Sequence, residues 1–135
     1  MKIIETEFDK ITVIGMKNNE GKGYNIYGDI IYELKDGKGY IKEYDEDIIR
    51  FEGEYLNGEK NGKGKEYYYN GILKYDGEYL NGNRYGKGKE YDLLGNITFI
   101  GEYFNGKKNG KGKEFGNNGK ILFEGEYLNG KRFEK

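Results

Sequence analysis

Aromatic, aliphatic and glycine residues recur along this chain with a period of 24 residues. The stretch 51–67, FEGEYLNGEKNGKGKEY, returns nearly letter for letter at 75–91 and at 99–115, and it begins again at 123. A fixed period of this size indicates one supersecondary unit that is repeated along the chain. We therefore expect three full repeats, at 51–74, 75–98 and 99–122, and a partial repeat at 123–135.

Within each repeat the period changes to two, which is typical of β-strands. Leu73, Tyr75, Gly77 and Tyr79 share one parity, and equivalent rows follow 24 and 48 residues later. Each row is predicted to project from one face of a sheet. The predicted strands cover residues 63–69, 72–80, 87–93, 96–104, 111–117 and 120–128.

Two kinds of turn are predicted between these strands. Residues 57–62, NGEKNG, predict a loop of four to six residues, and Asn70-Gly71 has the composition of a tight type I′ hairpin turn. Each repeat then adds two neighbouring antiparallel strands. The predicted fold is all-β: an extended single-layer antiparallel β-meander of about ten strands without helices.

The first fifty residues are an irregular version of the same pattern. Residues 28–39 overlay 53–64 at an offset of 25, with Glu33 in place of the middle glycine, and residues 11–14 with 21–23 predict a weaker hairpin. Terminal repeats of such arrays are commonly degenerate because they have to cap the array. We interpret residues 1–50 as N-terminal capping hairpins.

Composition limits both the core and the chemistry. Hydrophobic residues make up 35% of the chain and the mean hydropathy is −1.00, while 15 tyrosines dominate the aromatic residues. This favours a thin sheet whose rings cover one face while their hydroxyls reach water. The chain has no Cys and no His, which removes disulfides, thiolate metal sites and the commonest general base. We predict no enzymatic activity, no metal and no cofactor.

Charge and the N-terminal sequence bear on partners and location. The formal net charge is −1, with no strong basic excess, so nucleic-acid binding is not expected. The N-terminus has acidic residues where a signal peptide needs an apolar run. We expect a cytoplasmic protein, with peripheral membrane attachment as the alternative.

The pattern aromatic-x-Gly-x-aromatic-x-x-Gly-x-x-x-Gly-x-Gly, with a further glycine at the next turn, resembles the MORN repeat (membrane occupation and recognition nexus). Its positions in the first full copy are held by Phe51, Gly53, Tyr55, Gly58, Gly62, Gly64 and Gly71. Tyr55 and its equivalents stand where the family often has Trp. In this respect the chain is similar to a Tyr-rich branch of the family that includes bacterial antitoxin-like proteins. The resemblance implies a non-enzymatic scaffold that binds protein, with an antitoxin or immunity role as an alternative.

Two features are candidate protein-binding sites. The first is an aromatic ladder, which is either the core of the sheet or a groove that binds a peptide. Its residues are Tyr55, Tyr67, Tyr79, Tyr91, Tyr103, Phe115 and Tyr127. The second is the edge after Leu128, where the return strand is short and unpaired backbone groups invite strand addition, including by a second copy of the chain. Lys131, Arg132 and Lys135 are placed to guard that edge.

Basic rows provide a different hypothesis. The lysines in question are Lys63, Lys65, Lys87, Lys89, Lys111 and Lys113. Together with tyrosines they could receive anionic phospholipid headgroups. Glutamates recur beside them with the same period, so cross-strand Lys–Glu pairing explains the rows without a ligand. A further acidic cluster at 43–47 is interpreted as a solvated turn.

Overall fold

The computed structural model describes residues 12–17, 20–24, 30–35 and 37–134, with side chains at 35 and 37–134. The predicted guard residue Lys135 and residues 1–11, 18–19, 25–29 and 36 of the predicted capping segment lie outside the described residues. None of the described segments forms a helix long and apolar enough to span a bilayer.

The described residues form one sheet of twelve strands, and each strand is hydrogen-bonded to the next in chain order. All the pairings are antiparallel, so the predicted all-β meander is confirmed, with two strands more than expected. The strands are β1 (Thr12–Lys17), β2 (Glu20–Tyr24), β3 (Ile30–Lys35), β4 (Lys38–Asp45), β5 (Ile48–Leu56), β6 (Glu59–Tyr67), β7 (Leu73–Leu80), β8 (Asn83–Tyr91), β9 (Ile97–Phe104), β10 (Lys107–Phe115), β11 (Ile121–Leu128) and β12 (Lys131–Phe133).

The tight turn of each repeat lies at its first Asn-Gly pair. Leu56 pairs with Glu59, so only Asn57 and Gly58 connect β5 to β6. Both residues have positive φ, 49° and 85°, as a type I′ turn requires. The predicted loop over 57–62 is therefore wrong, because residues 59–62 already belong to the return strand.

The longer connection lies where the sequence predicted the tight turn. Residues 68–72 join β6 to β7, and the N–H of Gly71 donates to the carbonyl of Tyr68 at 2.9 Å. The Asn70 side-chain oxygen accepts a hydrogen bond from the N–H of Ile72 at 3.1 Å. Since Asn70 closes the turn through its side chain rather than through a positive φ, the type I′ prediction for Asn70-Gly71 is wrong.

A bulge near Gly62 shifts the register away from the one that the short turn alone would impose. Tyr55 pairs with Lys60, whereas Gly53 pairs with Gly64, so β6 contains two more residues than β5 between these pairs. Gly62 has a φ of 102°, and the Glu54 carboxylate accepts the N–H of Lys63 at 2.5 Å. The same contact recurs in the next two repeats, at Lys87 and Lys111. This bulge brings the glycines of successive strands into line.

A row of glycines crosses seven strands at one level of the sheet. Its members pair directly with one another and are Gly53, Gly64, Gly77, Gly88, Gly101, Gly112 and Gly125. Aromatic rings lie on this row: a Cβ at Gly88 would be 2.5 Å from the ring of Tyr75. The absence of side chains lets the rings lie directly against the backbone, which gives this single-layer sheet its core.

The rings form one continuous column along what we call the aromatic face. Each ring meets the next edge to face, with centroids 5.2–5.6 Å apart. In order the column is Phe51, Tyr79, Tyr75, Tyr103, Phe99, Tyr127 and Phe123. Such pairs contribute about 0.5–1.5 kcal/mol each beyond the burial of their area. The column therefore connects neighbouring repeats as well as the strands within one repeat.

A second bulge moves the first residue of each predicted row to the opposite side of the sheet, the reverse face. Glu66 pairs with Tyr75, but the following residue, Tyr67, pairs with Leu73, so Lys74 is an additional residue in β7. One extra residue switches the face of everything beyond it. The prediction that Leu73 shares a face with Tyr75 is thus wrong, and the same shift applies at Ile97 and Ile121.

Strand β4 follows the repeat at a different offset from the predicted one in its pairing with β5. Gly39 pairs with Tyr55 as Gly62 pairs with Tyr79, which corresponds to an offset of 23 instead of 25. At the same offset Glu43 corresponds to Glu66, and it accepts a hydrogen bond from the Tyr55 hydroxyl. Glu43 is therefore part of the sheet and not of the predicted solvated turn, which consists of residues 46–47.

Candidate functional site

The structure divides the predicted aromatic ladder between the two faces. Tyr79, Tyr103 and Tyr127 are buried in the aromatic column, with at most 5% of each residue exposed. Tyr55 packs against the same column through Phe51. The remaining members, Tyr67, Tyr91 and Phe115, follow the second bulge and lie on the reverse face, where they are partly exposed. The seven residues are not brought together, and their role in binding a partner stays a prediction.

The sequence predicts that the tyrosine hydroxyls reach water. On the aromatic face, three of them donate hydrogen bonds to carboxylates instead. Tyr79 donates to Glu66 and Tyr103 donates to Glu90, each at 2.6 Å, and Tyr127 donates to Glu114 at 2.5 Å. Each glutamate comes from the strand that precedes its tyrosine in the sheet and projects from the same face. A carboxylate acceptor makes these hydrogen bonds stronger than neutral ones.

Cations cover the rings from outside. The Arg84 guanidinium lies 4.1 Å from the centroid of Tyr75, and it donates to Glu66 at 2.8 Å and to Glu90 at 3.1 Å. Equivalent cations lie 4.2–4.7 Å from their rings, namely Lys60 over Phe51, Lys108 over Phe99 and Arg132 over Phe123. This row is not among the residues predicted from the sequence, although basic residues at 60, 84, 108 and 132 follow the repeat period. The aromatic face is thus closed by its own charged side chains.

This network fixes the protonation states of its members. Burial raises the pKa of the Tyr79 and Tyr103 phenols, and the hydrogen bonds to Glu66 and Glu90 raise it further. Burial opposes the ionisation of Glu66, but the hydrogen bonds from Arg84 and Tyr79 outweigh that effect and lower its pKa. At neutral pH the carboxylate is ionised and the phenols are neutral, so the network acts as structural support.

The lysines proposed for lipid binding lie among acidic residues. Lys63 pairs with Glu78, and Lys65 stands between Glu52 and Asp76 in register. The other four lysines of the set also have at least one acidic cross-strand partner. These placements follow the predicted Lys–Glu alternation, and lipid binding by the six lysines stays a prediction.

The last strands leave part of one edge without a partner among the described residues. Strand β12 pairs with residues 126–128 of β11, whereas residues 121–125 of β11 have no partner on that side in the described part of the chain. Arg132 in β12 donates to Glu114 at 2.7 Å and covers Phe123. Pairing of this edge with another chain, including a second copy of this one, stays a prediction.

Comparisons with known proteins bear on the repeat itself. The family model of the MORN repeat matches residues 51–72, 75–92 and 99–121. A search of curated proteins found no match. Among solved structures, one titled "Crystal Structure of TarM" aligns with 71% of this chain and 21% of that chain, at 10% identity and a TM-score of 0.37. The alignment thus spans about a fifth of that chain, and a similarity this weak carries no argument about fold or function.

Proposed function

This chain belongs to the MORN repeat family, and we propose that it acts as a non-enzymatic scaffold that binds another protein on the reverse face of its sheet. The observation that carries the proposal is a row of partly exposed aromatic side chains on that face. Tyr67, Tyr91 and Phe115 recur there every 24 residues. Aromatic residues of this kind are enriched in the cores of protein interfaces.

The two faces offer a partner very different surfaces. On the aromatic face the rings are buried, their hydroxyls are bound to carboxylates and cations lie over them. A partner there would have to displace ion pairs that already stabilise the sheet. On the reverse face the row of three is flanked by apolar side chains of the next strand, such as Ile121, which is 51% exposed. Contact on this face requires no rearrangement of the core.

The experiment compares partner capture by matched variants. We expect Tyr91→Ala combined with Phe115→Ala to keep the far-UV circular dichroism of the wild type while losing proteins captured from the native source. The control is Leu93→Ala combined with Leu94→Ala, which removes exposed apolar side chains at a turn instead of in the row. Quantitative mass spectrometry reports the captured set. Retention of every captured protein by the Tyr91/Phe115 variant would contradict the proposal.

Three related hypotheses stay predictions. They are the binding of anionic lipids, the antitoxin or immunity role and the cytoplasmic location. The acidic partners beside each lysine reduce the local basic excess that lipid binding requires. We therefore place protein binding first.

A further inference from the structure

The charge pattern of the reverse face is interrupted at one residue. Ile100 stands where the other copies of the repeat have Glu52, Asp76 and Glu124. In register it pairs with Lys89 on one side and with Lys113 on the other. In the preceding repeat Asp76 stands between two lysines in the same way. The sheet thus has a carboxylate missing from the middle of a row that otherwise alternates in sign.

A second change accompanies this interruption. In the first repeat the Tyr67 hydroxyl donates to the Glu52 carboxylate at 2.5 Å. In the third repeat the corresponding residues are Phe115 and Ile100, so both members of that polar pair are replaced by apolar residues. The two replacements together turn a polar position of the repeat into an apolar one.

The apolar position forms an open groove. Ile100, Phe115 and Ile121 line a groove of about 590 Å³, and the charged residues of its lining are Lys111, Lys113, Glu124 and Glu126. Ile100 is 36% exposed and Ile121 is 51% exposed. Lys113, which borders the groove, forms an ion pair with Glu124 at 3.6 Å, and both side chains are about half exposed. Such an ion pair in water is weak and leaves the lysine able to contact a further carboxylate.

We propose that this groove binds an extended acidic peptide segment of a protein partner. The inference rests on the proposed scaffold function and assigns the chemistry of its partner. A carboxylate of the segment lies above Ile100, between Lys89 and Lys113, and supplies the charge that the other repeats supply themselves. An apolar side chain two residues away lies on Phe115 and Ile121.

The dimensions of extended chains agree with this arrangement. Neighbouring strands are about 4.8 Å apart, so lysines on the two strands that flank Ile100 are separated by about 10 Å, and one carboxylate between them reaches both. Alternate residues of an extended segment project to the same side and are separated by about 6.5–7 Å. One face of the segment therefore presents the carboxylate and the apolar side chain together.

A random peptide library displayed on phage provides the probe. Selection on the full chain is expected to enrich peptides with Asp or Glu two residues from an aliphatic or aromatic residue. Synthetic peptides of the enriched sequences are then titrated calorimetrically.

Ile100→Asp restores the residue type that the preceding repeat has at position 76, so the fold tolerates it. We expect the affinity for the enriched peptides to fall by about tenfold or more. The matched control, Leu94→Asp, changes an exposed residue at a turn and is expected to leave the affinity unchanged.

Two further variants test the charge and the position separately. Combining Lys89→Glu with Lys113→Glu is expected to change the enriched residue from Asp or Glu to Lys or Arg, because the charges that flank Ile100 are reversed. Combining Asp76→Ile with Tyr91→Phe copies both replacements into the preceding repeat, between Lys65 and Lys89 and next to Ile97. It is expected to raise the stoichiometry from one peptide per chain to two.

The outcomes separate this inference from the scaffold proposal. No enrichment of acidic–apolar peptides, or unchanged affinity in the folded Ile100→Asp variant, overturns the inference. Peptides that depend on Tyr67 and Tyr91 but not on Ile100 overturn it as well, while the scaffold proposal stands. The scaffold proposal fails on its own readout, when proteins captured from the native source do not depend on Tyr91 and Phe115.

Discussion

Arg84 shows how one side chain stabilises neighbouring strands of this sheet. It covers the ring of Tyr75 on β7 and donates to carboxylates of β6 and β8. Those carboxylates also accept the hydroxyls of Tyr79 and Tyr103. A thin sheet cannot bury large apolar side chains between two layers, so the charged residues over the rings exclude water from one side.

Glu66 makes the stability of the fold decrease at acidic pH. Burial opposes its ionisation, but hydrogen bonds from Arg84 and Tyr79 lower its pKa below the ordinary value of 4.5. A carboxyl group with a lowered pKa in the folded state contributes stability above its unfolded pKa, and this contribution is lost as the pH falls through the folded pKa. We expect the free energy of unfolding in urea to decrease between pH 7 and pH 3, and Glu66→Gln to reduce that decrease.

The control for Glu66 is another carboxyl group of the same strand. Glu59→Gln changes an exposed residue next to the tight turn, and we expect it to preserve the wild-type dependence on pH. If Glu66→Gln and Glu59→Gln showed the same difference between pH 7 and pH 3, the hydrogen bonds of Glu66 would not be the cause.

At the scale of the strand, the glycine row decides how closely the rings approach the backbone. Gly88 pairs with Gly77 and Gly101 on the two neighbouring strands, and the Tyr75 ring lies over it. We expect Gly88→Ala to destabilise the protein by about 1–3 kcal/mol, because the added methyl group would lie 2.5 Å from the ring. Urea denaturation followed by circular dichroism measures the change.

Gly116→Ala is the matched control for this effect. A Cβ at Gly116 would meet the Leu122 side chain at 3.3 Å, and that side chain is 65% exposed and able to move. We expect a change within about 0.5 kcal/mol, as is usual for surface substitutions. Equal losses for Gly88→Ala and Gly116→Ala would show that the contact with Tyr75 has no special role.

The strands also show what the sequence can and cannot predict. The period of 24 residues and the alternation around Tyr79 were sufficient for the all-β meander, because both depend on local side-chain direction. The face of Leu73 was not predictable from alternation, since the bulge at Lys74 depends on which backbone groups pair across strands. Asn57-Gly58 and Asn70-Gly71 look alike in sequence, yet only the first is a two-residue turn.

The same bulge explains why the candidate site was only partly predictable. Tyr67 and Tyr79 are both aromatic and recur with the same period, so sequence alone placed them in one ladder. Their faces differ because Tyr67 follows the register shift and Tyr79 does not. The interruption at Ile100 is visible in the sequence, but its lysine neighbours become apparent only from the pairing of β8, β9 and β10.

At the scale of the molecule, each repeat in the described part of the chain pairs with the repeats beside it. Each of the twelve described strands is hydrogen-bonded to its chain neighbours, and the ring column continues from one repeat into the next. In arrays of this kind stability is approximately a sum of repeat and nearest-neighbour contributions. A repeat can therefore be removed without changing the interfaces that remain, provided that the register across the junction is preserved.

Deletion of 77–100 tests this property. It removes 24 residues and joins Asp76 to Gly101, which recreates the local sequence of a native repeat. We expect a folded sheet with unchanged β-type circular dichroism and a urea m-value that decreases in proportion to the surface removed.

Deletion of 77–99 removes one residue fewer and leaves Ile100 as an extra residue within a strand. Because one residue reverses the face of all side chains beyond it, we expect the shorter deletion to give the lower urea midpoint. Equal midpoints for the two deletions would mean that the 24-residue register does not hold the rings in one column.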